Sequence, residues 1–343
     1  MTFLRLPTRR HLIAAGAALA LGAAVVPAAA QSPAAPERVK LLIGYQDLTV
    51  PSTVTASKVL EGAPYDVEWV ILPGPAAQLS ALYSKNIDVG HMGDTSLIIE
   101  QGKAKDDWSL ENPPLQIIAG WRAGDVKYPP IVTVVRTDAK IDSLADLRGK
   151  KWAYNFGGFN YLQYVLTGLK AGLTPKDYEP VQLGDQNATA AAFNSGRVEA
   201  YSGSIAPVGE AIEKGVAKVL VTSDELNIPA LNVFTARGDV LKDPAKRAAL
   251  ADFLSRVRTH WTWYGDHLDE VTKIYEEKVK QTPARAKLTT VYQKASFRPL
   301  DEALVKREQK IADVLFEAGA IPKKIDVTPE FYRGFNAATV GSN

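Results

Sequence analysis

Short apolar runs alternate along this chain with segments whose apolar residues recur at helical spacing. Val39 to Tyr45, VKLLIGY, reads as a strand closed by glycine, and residues 67–71, VEWVI, as a second strand. A modest helix fits residues 52–61 between them. Residues 75–85 place Leu79, Leu82 and Tyr83 on one helical face, with Pro75 in the first turn. Ile87, Val89 and His91 then mark a strand, and residues 97–103 a helix. Residues 115–119 and 131–135 are further apolar strand runs. Ser143 and Asp146 form a capping-box pattern for a short helix to Leu147. A strand at 151–154 and a helix at 161–171, ended by Gly172, follow. Such alternation predicts an α/β fold with largely parallel sheets. From Asp243 onward the pattern is helical, in blocks at 244–264, 267–280, 285–294 and 302–318.

The first thirty residues stand apart. Arg9 and Arg10 precede an apolar, alanine-rich run from 14 to 26, and Ala28-Ala29-Ala30 offers a small-residue cleavage site. This is the layout of a secretory signal, and T-R-R-x-L-I is similar to a twin-arginine export signal. The run is short for a membrane span, which needs about 20 apolar residues. No cysteine follows to carry a lipid. Residues 1–30 are therefore expected to be an export signal and 31–37 a linker, leaving a periplasmic protein without a membrane anchor. The signal holds Arg5, Arg9 and Arg10 and no acid, so +2 less these three charges leaves −1 for the rest. That balance does not point to nucleic acid or an anionic membrane surface. With no cysteine in the chain, stability rests on the core, and the remaining length suggests two lobes.

An internal echo supports two lobes. Residues 84–93, SKNIDVGHMG, match residues 195–204, SGRVEAYSGS, in pattern, and each follows an alanine-containing amphipathic helix. In open α/β sheets, ligands sit beyond the carboxyl ends of strands. At such an end Gly93, Asp94, Thr95 and Ser96 stand before the helix at 97. Asp, Thr and Ser there cap helices, but a helix N-terminus also offers unpaired N–H groups and partial positive charge to an anion. Phe156, Gly157, Gly158, Phe159 and Asn160 occupy the corresponding place before the helix at 161. Gln46, after Gly44, is a third such position. Arg122, beyond the strand at 115–119, could pair with an anion or brace a hinge.

The chain resembles the aliphatic sulfonate, taurine and nitrate family of ABC-transporter substrate-binding proteins, and its sulfonate branch most. The residues that carry this are "IGYQ" at 43–46, "PGPAAQLSALYSKNIDVGHMGDTSLI" at 73–98, "IDSLADLRGKKWAY" at 141–154, "SFRPLD" at 296–301 and "ADVLFEAGAIPKKIDV" at 312–327. The resemblance implies a two-lobed type II periplasmic binding fold with a hinge and an interlobe cleft. It also implies capture of a small anion for an ABC permease and its ATPase, as a monomer without cofactor. Carried over by position, Gln46, Gly93, Asp94 and Thr95 line one side, and Gly157, Gly158, Phe159 and Asn160 the other. Lobe 1 is expected at 38–126 and 236–343, and lobe 2 at 127–235. One departure stands out. Where sulfonate binders of this kind carry Trp-Asp-Pro, this chain has Ser204-Ile-Ala-Pro207. Ser204 leaves room, and with the aromatics nearby suggests a bulkier or aromatic sulfonate.

The competing readings are a binder of nitrate, a pyrimidine precursor or another oxyanion, and an enzyme on the same scaffold. The histidines are scattered, and His267 with Asp266 and Asp269 reads as a helix start, so no metal site is expected. There is no nucleophilic triad spacing, phosphate loop or dinucleotide fingerprint, and no catalytic residue is assigned. Trp261 and Trp263 are expected to pack within a helix.

Overall fold

A computed structural model describes residues 38–124 and 126–341. The expected export signal and linker lie outside the described residues. Four strands come first: β1 (Val39–Tyr45), β2 (Tyr65–Ile71), β3 (Val89–Gly93) and β4 (Leu115–Ala123). The chain then crosses to build β5 (Ile131–Arg136), β6 (Lys151–Asn155), β7 (Glu179–Leu183), β8 (Ala200–Ser204) and β9 (Ala217–Thr222). It returns to add β10 (Asn232–Arg237) and β11 (Ala295–Arg298). The first sheet has the order β11-β4-β10-β3-β1-β2 and the second β7-β6-β8-β5-β9. Both belong to one compact unit that begins at Arg38. The boundary expected between 235 and 236 falls inside β10, which pairs with β3 and β4 of the first sheet.

The sheets are mixed rather than largely parallel. β1 runs parallel to β2 and β3, and β6 to β7 and β8. β5 is antiparallel to β8 and β9, and β10 to β3 and β4. The crossings explain this. β5 and β10 are the first strands after each passage between sheets. A chain that leaves one sheet at the carboxyl end of a strand enters the other at its facing end and must run back from it. β11, unseen in the helical sequence pattern, adds antiparallel to β4.

Helices α1 (Thr49–Ala56), α2 (Pro75–Tyr83), α3 (Thr95–Lys103), α4 (Phe159–Ala171) and α5 (Gln186–Asn194) follow β1, β2, β3, β6 and β7. α1 starts earlier than the apolar pattern suggests, because Asp47 Oδ1 accepts from Thr49 N at 2.9 Å. It ends at Ala56, shortly before Lys58 turns left-handed at φ 56°. The long helix Pro244–Asp266 covers the first sheet with Leu250, Phe253, Leu254 and Val257, all buried against Leu41 and Ile43. Trp152, Tyr164 and Tyr178 fill one side of the second sheet.

The sequence echo is a repeated device. Left-handed Lys85 and Gly196 end α2 and α5, and Asn86 N and Arg197 N bond back to Ala81 O and Ala192 O at 2.9 and 3.1 Å. Asp88 then accepts from Leu42 N at 3.0 Å, and Glu199 from Lys151 N at 2.8 Å. Each acid ties the entry of one strand, β3 or β8, to its parallel neighbour. This sets where β3 and β8 end, at Gly93 and Ser204.

Candidate functional site

The carboxyl ends of β1, β3, β4, β6 and β8 face a cleft between the sheets that encloses about 120 Å³. The first turns of α1, α2, α4 and α5 contribute Thr49, Pro75, Gly158–Asn160 and Gln186 to its wall. These starts are not equivalent. Asp47 holds the first N–H of α1. α2 has no side-chain cap, but the residue it presents to the cleft is Pro75, which has no N–H, and Asp185 caps α5 through Asn187 N and Ala188 N. At α4 the N-cap is Gly158, with no side-chain cap. Its first-turn N–H groups are therefore unclaimed by any cap, beside the cleft, where the helix dipole favours negative charge.

Of the residues singled out from sequence, Gln46, Gly93, Gly158, Phe159, Asn160 and Ser204 line the cleft. Gln46 Nε2 donates to His91 O at 3.2 Å. Asn160 Nδ2 donates to Asn155 Oδ1 at 2.7 Å. Ser204 Oγ donates to Gln186 Oε1. The Phe159 ring lies over Gly93 from the opposite lobe, with its Cδ1 too close to admit a Cβ on Gly93.

The other six do not line the cleft. Asp94 is buried and caps α3: Oδ1 accepts from Thr95 N at 2.8 Å, and Oδ2 from Leu231 N at 2.7 Å. It therefore fastens the end of β3 to the second crossing, and the first N–H of α3 is spent on its own cap. Thr95 Oγ1 donates to the same carboxylate at 3.2 Å, and Ser96 is fully buried beneath Gly158. Arg122 braces the crossing, through Pro229 O at 3.0 Å and Asp224 at 2.6 Å. Phe156 turns outward beneath the Lys103 ammonium, 4.0 Å from its ring centre. Gly157 makes the turn before α4 at φ 100°.

Sequence reasoning missed several lining residues. His91 stacks between Tyr45, at 4.0 Å, and Trp121, at 5.4 Å. Its Nε2 meets Asn232 Oδ1 at 3.1 Å. Burial pushes its pKa down to about 4, so the ring is neutral at pH 7. With the asparagine oxygen as acceptor, Nε2 carries the proton and Nδ1 keeps a lone pair with no partner among the described residues. The period-2 pattern of β3 already puts Val89, His91 and Gly93 on one face, which was the available signal. Trp261, expected to pack within a helix, also lines the cleft, and its indole N–H has no partner among the described residues. Asp47 is, among the described residues, the one lining side chain with a formal charge. No group of three His, Asp or Glu side chains among the described residues is placed to hold a metal ion. No helix among them is long and apolar enough to cross a membrane.

Two α/β lobes joined by two crossings, with strand ends and an uncapped helix facing a cleft between them, define a periplasmic binding protein fold. Residues 57–277 match the family described as ABC transporter, phosphonate, periplasmic substrate-binding protein, and the chain belongs to that family. It is 24% identical over 309 residues to an aliphatic sulfonates-binding protein of Escherichia coli (strain K12), covering 87% of this chain and 90% of that one. The alkanesulfonate-binding protein SsuA from Xanthomonas axonopodis pv. citri, bound to MOPS, superposes with a TM-score of 0.72 at 23% identity, over 88% of this chain and all of that one. The periplasmic aliphatic sulphonate binding protein SsuA from Escherichia coli gives 0.70 at 22% identity, over 86% and 92%.

Proposed function

We propose that this protein captures a sulfonate in the interlobe cleft and delivers it to an ABC permease with its ATPase. The observation that carries the reading is the uncapped start of α4, placed beside an enclosed cavity. Each charge-assisted hydrogen bond contributes roughly 1.5–3 kcal/mol and each buried methylene about 0.8 kcal/mol. After the several kcal/mol lost on association, three good donors and a short tail reach about −8 kcal/mol, a micromolar affinity. The sulfonate-binding names of the relatives agree with this chemistry. We further infer export by the twin-arginine route, action as a monomer, and binding without catalysis: the lining set joins neutral His91 to Asn232 and brings no cysteine.

The cavity favours a compact ligand over the bulkier one that Ser204 suggested. Phe159 and Trp261 line the same cleft as Ser204 and narrow it. About 120 Å³ is less than the roughly 150 Å³ that takes one benzene ring, so the enclosed part of the cleft fits an oxyanion head group with one or two carbons. Ser204→Trp is expected to weaken butanesulfonate at least tenfold and methanesulfonate less, as read by titration calorimetry. Equal loss for both would mean that position 204 does not limit the tail.

A thermal-shift series on protein unfolded and refolded to strip bound ligand tests the reading. Alkanesulfonates at a hundredfold excess over Kd should add about 2.7 kcal/mol and raise Tm by several degrees. Stabilisation by nitrate, a pyrimidine or an alkylphosphonate, with none by any sulfonate, would reassign the ligand.

A further inference from the structure

An oxyanion in this cleft meets no cation, since among the described residues no lysine or arginine lines it. Neutral donors must hold it. α4 supplies some of them. Leu162 N donates to Gly158 O at 3.1 Å, which leaves the N–H groups of Phe159, Asn160 and Tyr161 as the open ones of the first turn. Phe159 and Asn160 line the cleft, and Tyr161 does not.

The facing lobe offers one more donor. Trp261 lies on the helix Pro244–Asp266, is 6% exposed, and packs against Trp121 with ring centres 6.3 Å apart. Its indole N–H is buried and has no partner among the described residues. Comparable buried rings are satisfied within the protein. Trp152 donates its indole N–H to Ser202 Oγ at 2.9 Å. His260, next to Trp261, meets Thr53 Oγ1 and Ser57 Oγ at 3.3 and 3.2 Å. Three residues that line the cleft carry a buried side-chain atom without a partner among the described residues: His91, Asn160 and Trp261. The first two present acceptors, and Trp261 alone presents a donor. A buried donor left unmet costs free energy that a ligand acceptor recovers. An indole N–H can only donate, so its complement is an oxygen of the ligand.

We propose that Trp261 determines specificity, its indole N–H binding the third oxygen of a sulfonate whose other two rest on the start of α4. A carboxylate has two oxygens and leaves the indole unmet, so Trp261 selects sulfonates over carboxylates with the same tail. This rests on the sulfonate reading above and adds a contact from the facing lobe, through which the head group bridges the two lobes.

Titration calorimetry with ethanesulfonate and propanoate, which share a two-carbon tail, tests this on protein refolded without ligand. Trp261→Phe keeps an aromatic ring and removes the N–H. It should weaken ethanesulfonate at least about tenfold and propanoate by less than about threefold. Nuclear magnetic resonance of the wild-type protein gives a second reading that needs no variant. The indole ¹H–¹⁵N resonance of Trp261 should move downfield as ethanesulfonate saturates and hold its place with propanoate. Equal loss of both ligands in Trp261→Phe would make the ring a part of the cleft's shape and overturn the proposal, as would no loss of ethanesulfonate. Propanoate that binds the wild type as tightly as ethanesulfonate would also overturn it. An indole resonance that stays still while the Phe159 and Asn160 amides saturate would overturn the contact and leave the sulfonate reading standing. No binding of ethanesulfonate to the wild type would overturn both.

Discussion

Gly93→Val is expected to lower ligand affinity more than a hundredfold while leaving the ligand-free protein folded. Gly93 ends β3 in one lobe, and the Phe159 ring of the other lobe rests where its side chain would be, too close to admit a Cβ. The same two lobes also meet where Gly158 lies against Ser96. A larger residue must displace the ring or hold the lobes apart. Overpacking of this kind costs about 1–3 kcal/mol for a methyl group or two, and every 1.4 kcal/mol is tenfold in Kd. Gly93→Ala should therefore cost about tenfold and Gly93→Val more. The strain is spent on closure, so Tm without ligand should hold. Phe159→Ala in the same chain should restore part of the affinity, a coupling that a double-mutant cycle reads. If Gly93→Val bound normally, Phe159 would not form the closing contact.

Glu308→Gln is expected to raise Tm by about 5 °C at pH 8.5, with the gain vanishing toward pH 4.5, on the scale of a few kcal/mol for a buried charge. Glu308 and Glu330 are fully buried, and among the described residues no donor reaches their oxygens; Glu308 instead faces the Asp94 carboxyl within hydrogen-bond reach, a contact that requires one of the two acids to be protonated. Burial pushes both carboxyls well above the usual range, and the facing acids reinforce it: Asp94 and Glu330 for Glu308, Asp326 and Asp94 for Glu330. Arg307 offsets this only in part for Glu308. A carboxyl with a raised folded pKa holds its proton more tightly when folded. Its contribution is complete below the unfolded pKa near 4.5 and is lost as pH rises through the folded value. The uncharged amide of the variant would mimic the protonated carboxyl at every pH. Neutral His91 and His260, pushed down to about 4 and about 3 by burial, act oppositely, with stability lost as pH falls below about 6.5. Because both proteins share them, the difference between the two melting curves reports the Glu308 carboxyl together with Asp94, the acid it faces. A gap independent of pH would place the effect in packing instead.

What could be read from the sequence was local. VKLLIGY is β1 residue for residue, and Gly172 ends α4 in the left-handed conformation its position implied. The capping pattern at Ser143 and Asp146 forms as written, with Asp146 accepting from Ser143 N at 2.7 Å. The echo at 84–93 and 195–204 carries real geometry because the same acid-to-neighbour bond recurs in both lobes. What could not be read depends on which partner lies opposite. Asp94-Thr-Ser at the start of α3 and Gly157-Gly158 before α4 are equally good helix starts by composition. Only the approach of Leu231 N and the Phe159 ring turns the first inward and leaves the second beside the cleft. Antiparallel β10 and β11 were hidden for a related reason, since strand direction at a crossing is fixed by where the chain enters the sheet. Trp261 lies deep within a long amphipathic helix, and no local signal separates an indole that packs from one that also lines a cavity.

The central claim is that the oxyanion sits on the α4 start and not on α3. Amide resonances followed by ¹H–¹⁵N correlation during titration with a short alkanesulfonate test this most directly. The account predicts saturable, concerted shifts largest at Phe159 and Asn160, with Thr95 and Ser96 moving less. Largest shifts at Thr95 and Ser96, or no saturable shift in the cleft with any sulfonate, would contradict it.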